Sequence, residues 1–171
     1  MARNKKYNSI PRNWLVWEWL LNGNALDTSW SWNNWTATNV TYVNTERWYQ
    51  KQAGSFNGSN SVVTAVWTTW TWNRTISLNV DISTLNSSTM IYSEWATSNN
   101  NSWGVYVWND NNIRWFIYWW ATEIISNIKT WKHHILIEYN WSQISLYIDN
   151  ILIWSMSASL NVSNTNIWIW R

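Results

Sequence analysis

Cysteine is absent from this chain of 171 residues, which excludes a disulfide framework and a thiolate zinc site. The two histidines, adjacent at His133 and His134, do not supply a metal site in their place. Charge is scarce as well: 12% of residues are charged and the net charge is +2, so there is no basic face for nucleic acid and no acidic field for a cationic partner. No apolar run approaches the ~20 residues that span a bilayer, so no membrane insertion of this segment is expected. The opening MARNKKYNSIPRN also lacks the apolar centre of a signal peptide. The single proline, Pro11, falls in this polar, basic stretch. Residues 1–13 therefore read as a leader or linker and residues 14–171 as one domain, a size at which all-β chains are commonly single units.

Glycine is the most informative shortage. The chain has 4 glycines and 21 tryptophans, whereas glycine ordinarily makes up about 7% of residues and tryptophan is rare. Core or ligand-stacking tryptophans should fall in strand register, and glycines in turns. Most of these tryptophans fall in turns. Trp30, Trp32 and Trp35 lie inside the polar loop DTSWSWNNWT, Trp119-Trp120 close a strand as Gly-Gly would, and Asn140-Trp141 stands where a tight hairpin wants Asn-Gly. The expectation is that many of these positions are glycine in the native protein. Its simplest origin is a gene that decodes UGA as glycine, translated with a table that decodes it as tryptophan. Trp19 and Trp103 are the expected core tryptophans, and Trp115 fits either an aromatic core residue or a strand glycine. Trp14, Trp30, Trp32, Trp35, Trp48, Trp95, Trp119, Trp120, Trp141 and Trp170 are the expected glycines.

What is present is a series of short alternating runs. In TWKHHILIEYNWSQISLYIDNILIWS, Thr130 to Ser155, Ile135, Ile137 and Tyr139 share a face of one run, and Ile144, Leu146 and Ile148 share a face of the next. Asp149-Asn150 then turns the chain into Ile151-Leu152-Ile153, completing a β-meander. A first strand is expected around Leu15, Val16, Trp19 and Leu20, a second over TATNVTYV, and two more on either side of Asn57-Gly58. RTISLNVDI places Ile76, Leu78, Val80 and Ile82 on one side. STMIYSEW, WGVYVW and NIRWFIY follow at hairpin spacing, the last two joined by Asn109 to Asn112. No stretch holds a helical period, so the fold class is all-β, an antiparallel sandwich of two sheets rather than a barrel.

In order, EWLLNGNALDTS, TATNVTYV, QAGSFNGSNSVV, RTISLNVDIS, SWGVYVWNDNNIRWFIY, KHHILIEYNWSQISLYIDNILI and NVSNTNIWIWR resemble the LamG-like, concanavalin A-like lectin/glucanase jelly-roll domains of bacterial surface proteins. The resemblance covers about residues 14 to 171 and places glycine at Trp35, Trp141 and Trp170. It departs at Lys132, where the family often has tryptophan. It also implies a further strand after IWIWR, whose loss would leave an exposed edge or apolar strip.

The chemistry is sparse. A hydrolase resembling the β-glucanases needs carboxylates roughly 5 Å apart, and the chain has no E-x-D-x-x-E pattern. Glu18, Asp27, Glu94, Asp110, Glu123, Glu138 and Asp149 stand singly. His133 and His134, as strand neighbours, point to opposite faces and do not act together. No cofactor is expected, with calcium as the one alternative: Asn109, Asp110 and Asn112 offer loop oxygens of the kind that calcium takes, although one carboxylate among amides would bind weakly. Tyr106, Arg114 and Tyr118 offer an aromatic platform beside guanidinium donors, the usual chemistry of a sugar site, against the plainer reading of a solvated sheet face. The resemblance implies a non-catalytic binding or adhesion module, extracellular or at the cell surface, with a glycan or a cell-surface protein as its ligand. The alternatives are a structural spacer or pilin-like surface subunit and, behind both, a glycoside hydrolase.

Overall fold

Alternating runs become strands where their apolar side finds a second sheet to cover. The computed structural model describes residues 17–29, 32–44, 52–67, 73–82, 89–96, 102–108, 110–117, 121–127, 132–157 and 165–170. Among these the strands are β1 (Thr36–Thr38), β2 (Thr41–Asn44), β3 (Gln52–Ser55), β4 (Val62–Trp67), β5 (Arg74–Asp81), β6 (Thr89–Ala96) and β7 (Trp103–Val107). The series continues with β8 (Asn112–Ile117), β9 (Ala121–Asn127), β10 (Lys132–Asn140), β11 (Gln143–Ile148), β12 (Ile151–Ser157) and β13 (Thr165–Trp170), and the described residues contain no helix. A seven-stranded sheet runs β1-β4-β13-β6-β7-β8-β9, a four-stranded sheet runs β12-β11-β10-β5, and β2 pairs with β3 apart from both. Neighbouring strands are antiparallel throughout.

The expected meander is β10-β11-β12. Ile135 lies opposite Ile148, Ile137 opposite Leu146 and Tyr139 opposite Ile144, so the two alternating runs form one continuous buried face. Leu78 and Ile76 of β5 extend it beside Ile135 and Ile137. The larger sheet answers with buried Val63, Trp103, Val105, Val107, Ile113, Trp115 and Ile167, all in one core cluster with the smaller sheet. Trp115 meets Trp154 of β12 across the interface at 5.4 Å between ring centroids. This is the expected jelly-roll sandwich.

Several local expectations are corrected. TATNVTYV is two strands, because Asn39 adopts φ 53°, a left-handed value that asparagine tolerates, and the chain leaves one sheet for another there. The kink is tied to the next loop by the Ser61 hydroxyl, which donates to the Asn39 carbonyl at 2.6 Å. The two strands expected around Asn57-Gly58 are present as β3 and β4, of which β3 joins β2 and β4 joins β1 and β13. In the first expected strand, Leu15 and Val16 lie outside the described residues, and Trp19 makes only an isolated bridge to Asp27. That loop is held by a side chain instead, since the Asp27 carboxylate accepts from the N–H groups of Glu18, Ser29 and Asn33. Strand β9 was not anticipated. The last strand, β13, lies inside the larger sheet between β4 and β6, while exposed Ile151 and Leu152 lie on β12 at an edge of the smaller one.

The two meander turns differ. Asp149 and Asn150, both with positive φ (52° and 69°), form the left-handed pair that a type I′ hairpin requires. The preceding loop is Trp141-Ser142 rather than Asn140-Trp141, because Asn140 still pairs with Gln143. Trp141 takes φ 46° at its first position, the place where a type II′ turn uses glycine.

Candidate functional site

The hairpin of β7 and β8 divides its side chains cleanly. Trp103, Val105 and Val107 with Ile113 and Trp115 point into the core, so Gly104 and Tyr106 with Arg114 and Phe116 occupy the outer face of the larger sheet. Tyr106 lies opposite Arg114, and Gly104 opposite Phe116. The ring of Phe116 lies over Gly104, where a Cβ would come within 2.5 Å of it and within 2.7 Å of the Tyr92 carbonyl oxygen. Glycine is required here by the approach of a ring, not by a turn. Tyr106 lies 5.9 Å from Phe116 and 6.0 Å, edge-on, from Trp108. Three aromatics thus line one outer strip.

Its polar end is the turn. Asn111 takes φ 62°, and the Asn111 N–H donates to the Trp108 carbonyl at 3.0 Å, closing the loop. Asp110 then faces Arg114. The guanidinium donates from Nη1 to Oδ1 at 2.8 Å and from Nη2 to Oδ2, and it lies 5.7 Å from the Trp108 ring centroid. Hydrogen bonding from Arg114 holds the Asp110 carboxyl far below the usual carboxylate range, and the same bonds raise Arg114. Tyr106 and Arg114 are therefore brought together as expected, whereas Tyr118 lies outside the described residues.

Of the loop oxygens expected to meet calcium, Asn109 lies outside the described residues. The Asn112 N–H donates to Asp110 Oδ1 at 3.0 Å, and the Asn112 carbonyl accepts from Arg114. A calcium ion at Asp110 would have to share a carboxylate whose two oxygens both already accept from Arg114. Among the described residues no group of three or more His, Cys, Asp or Glu side chains is placed to hold a metal.

The histidines separate as strand neighbours must. His133 Nδ1 lies 2.8 Å from Asp149 Oδ2, and His134 Nε2 lies 2.8 Å from the Ser77 hydroxyl. Asp149 also accepts from the His134 N–H, so its carboxylate braces the turn it belongs to.

Glu94, one of the acids that stand singly in the sequence, is not single in the fold. It is fully buried on β6, between the sheets, and accepts from Arg74 Nε at 3.2 Å, Arg74 Nη2 at 2.6 Å, the Tyr92 hydroxyl at 2.9 Å and Trp103 Nε1 at 2.9 Å. Burial pushes its carboxyl up, while Arg74, Tyr92 and Trp103 pull it down. The available signal was the alternation of STMIYSEW, which sets a charged residue on the same face as Tyr92.

The tryptophans divide too. Trp103 is buried as expected, and Trp115 is an equally buried core residue stacked on it at 4.9 Å. Trp19 is half-buried, packs on Trp35 at 4.0 Å and donates to the Asn33 carbonyl. Trp35, expected as glycine, is buried, and its backbone is not among those with positive φ. Trp95 and Trp170 lie within β6 and β13. Trp32, by contrast, has φ 58° and is 83% exposed. Trp14, Trp30, Trp48, Trp119 and Trp120 lie outside the described residues.

Two facing antiparallel sheets define a jelly-roll sandwich of the concanavalin A-like kind. Solved structures share that fold. Domain 4 of AbnA, an extracellular arabinanase from Geobacillus stearothermophilus in complex with arabinotriose, matches with a TM-score of 0.67 at 15% identity, over 88% of this chain and 81% of that one. The Trypanosoma rangeli sialidase in complex with the inhibitor DANA matches with a TM-score of 0.58 at 15% identity, over 81% of this chain and 25% of that one. The Bacillus licheniformis β-glucanase matches with a TM-score of 0.54 at 9% identity, over 79% and 77%. No protein-family model matches the chain, and no curated protein matches it.

Proposed function

We propose that the chain is a non-catalytic glycan-binding module, similar to LamG-like domains and belonging to a bacterial cell-surface or secreted protein. The observation that carries the reading is the strip of Tyr106, Trp108 and Phe116 beside the Arg114–Asp110 pair: flat apolar rings next to paired donors and acceptors are what a pyranose or furanose needs. Two neighbours in fold, an arabinanase domain holding arabinotriose and a β-glucanase, support a carbohydrate ligand. A binding rather than a hydrolytic role is supported at Asp110 and Glu94, whose carboxylates are engaged by Arg114 and by Arg74, Tyr92 and Trp103 respectively.

A glycan array with and without calcium tests this, together with an assay for released reducing ends. Binding that Tyr106→Ala weakens, without release of reducing ends, supports the reading. A blank array under both conditions favours the structural spacer, and released reducing ends establish the hydrolase. Calcium-dependent binding would assign a role to Asp110 and Asn112. The glycine reading of the tryptophans belongs to the same proposal at Trp32 and Trp141, supported by their left-handed backbones. UGA codons at those two positions would carry it, and UGG codons would end it.

A further inference from the structure

Resting on the glycan-binding reading, we infer that the outer-face site is selective for neutral glycans, with Arg114 and Asp110 taking two neighbouring sugar hydroxyls as a couple and rejecting uronate or sialate carboxylates. Among the described residues the positively charged side chains are Arg74, Arg114 and Lys132, and each faces an acid: Glu94, Asp110 and Asp81 respectively. Arg74 lies between the sheets. Arg114 is therefore the described cation beside the aromatic strip, and its charge is already met there by both oxygens of Asp110.

That pairing decides the ligand class. A sugar carboxylate could reach Arg114 only by displacing Asp110 from the Nη1–Nη2 end or by taking the N–H groups that Asp110 leaves over, and either way it sets two anions against one cation. A pair of vicinal hydroxyls displaces nothing. One hydroxyl donates to the free lone pairs of Asp110, and its neighbour accepts from the guanidinium N–H groups that Asp110 leaves over, while the sugar's apolar face lies on Tyr106 and Trp108. The Arg114 side chain is 12% exposed and that of Asp110 41%, so the acid is the outer member of the couple, the first group an approaching anion meets.

The test measures binding of the intact chain to two neutral polysaccharides, arabinan and a β-glucan, and to two anionic ones, polygalacturonate and hyaluronate, at low and high salt. Neutral binding that salt does not alter, lowered about tenfold by Tyr106→Ala, with anionic binding at least tenfold weaker, is expected. Asp110→Asn frees the guanidinium and should raise anionic binding about tenfold at low salt, a gain that high salt removes. Anionic binding by the unaltered chain equal to or tighter than neutral binding overturns the selectivity but leaves a glycan-binding module. Failure to bind any of the four overturns the module itself. Should Asp110→Asn prove unfolded by circular dichroism, the salt response and ligand ranking of the unaltered chain still decide the matter.

Discussion

The Arg74 guanidinium and the Glu94 carboxylate join the two sheets from within, Nη2 to Oε2 at 2.6 Å, with Arg74 also 5.1 Å from the Tyr139 ring centroid and 5.8 Å from that of Trp103. A buried pair of this kind adds little over an apolar replacement but is costly to break from one side. Arg74→Met should lower unfolding stability by about 3–5 kcal/mol in urea denaturation at neutral pH, because it leaves the Glu94 charge buried with only Tyr92 and Trp103 as donors. The loss has a pH signature. Removing the cation raises the folded-state pKa of Glu94 further above its unfolded value, so the carboxyl is tolerated when protonated and penalised when charged. The deficit of Arg74→Met should therefore shrink as pH falls, and the double variant Arg74→Met/Glu94→Gln should lose less than the two single variants added together.

Asp27 gives the opposite sign. Desolvation pushes its carboxyl up, but hydrogen bonds from Ser29, Glu18 and Asn33 outweigh that and hold it below the ordinary value. A folded pKa below the unfolded one contributes stability that is present above the unfolded value, about 3.9, and is lost as pH falls through the folded value. Thermal melts from neutral pH downward should show the chain losing stability below about pH 4, and Asp27→Asn should be less stable at neutral pH with a shallower acid slope. An unchanged slope would remove Asp27 from the acid response.

What could be read from the sequence was local: the meander turn at Asp149-Asn150 acts on residues close in the chain, where composition speaks. Asp27 showed no role there, because its partners Glu18, Ser29 and Asn33 share no period with it. The strands β5, β7, β8, β10, β11 and β12 were legible because one side of each is apolar at a period of two. Tyr106 and Arg114 were legible as cross-strand neighbours because the hairpin joining them is short. Arg74 and Glu94 are 20 residues apart on strands of different sheets, and no local period connects them. TATNVTYV misled because alternation continues through Asn39, where only the backbone dihedral shows the break.

Gly104 should be intolerant of the smallest addition. A methyl group in Gly104→Ala meets the Phe116 ring and the Tyr92 carbonyl, and the second of these is strand backbone that cannot rotate away. Thermal unfolding should show a loss of about 1–3 kcal/mol. Adding Phe116→Ala should restore only part of it, since the carbonyl contact remains. The same substitution should weaken glycan binding by tilting Phe116 out of the strip beside Tyr106.

Trp32 and Trp141 provide the cleanest contrast with the core tryptophans. Both hold left-handed backbones, φ 58° and 46°, and both are exposed, so neither gains in burial what it loses in backbone strain. Glycine removes that strain, worth about 1 kcal/mol at each position, less what its greater freedom adds to the unfolded chain. Trp32→Gly and Trp141→Gly should each raise the melting temperature by about 2–4 °C, additively because the sites are independent, and should reduce aggregation on heating. Trp103→Gly should do the reverse and lose about 3–5 kcal/mol, because it empties the stack with Trp115 and takes from Glu94 one of its four donors. If glycine at Trp141 lowers stability as glycine at Trp103 does, the turn does not need glycine, and the reading of that position as a misplaced tryptophan falls.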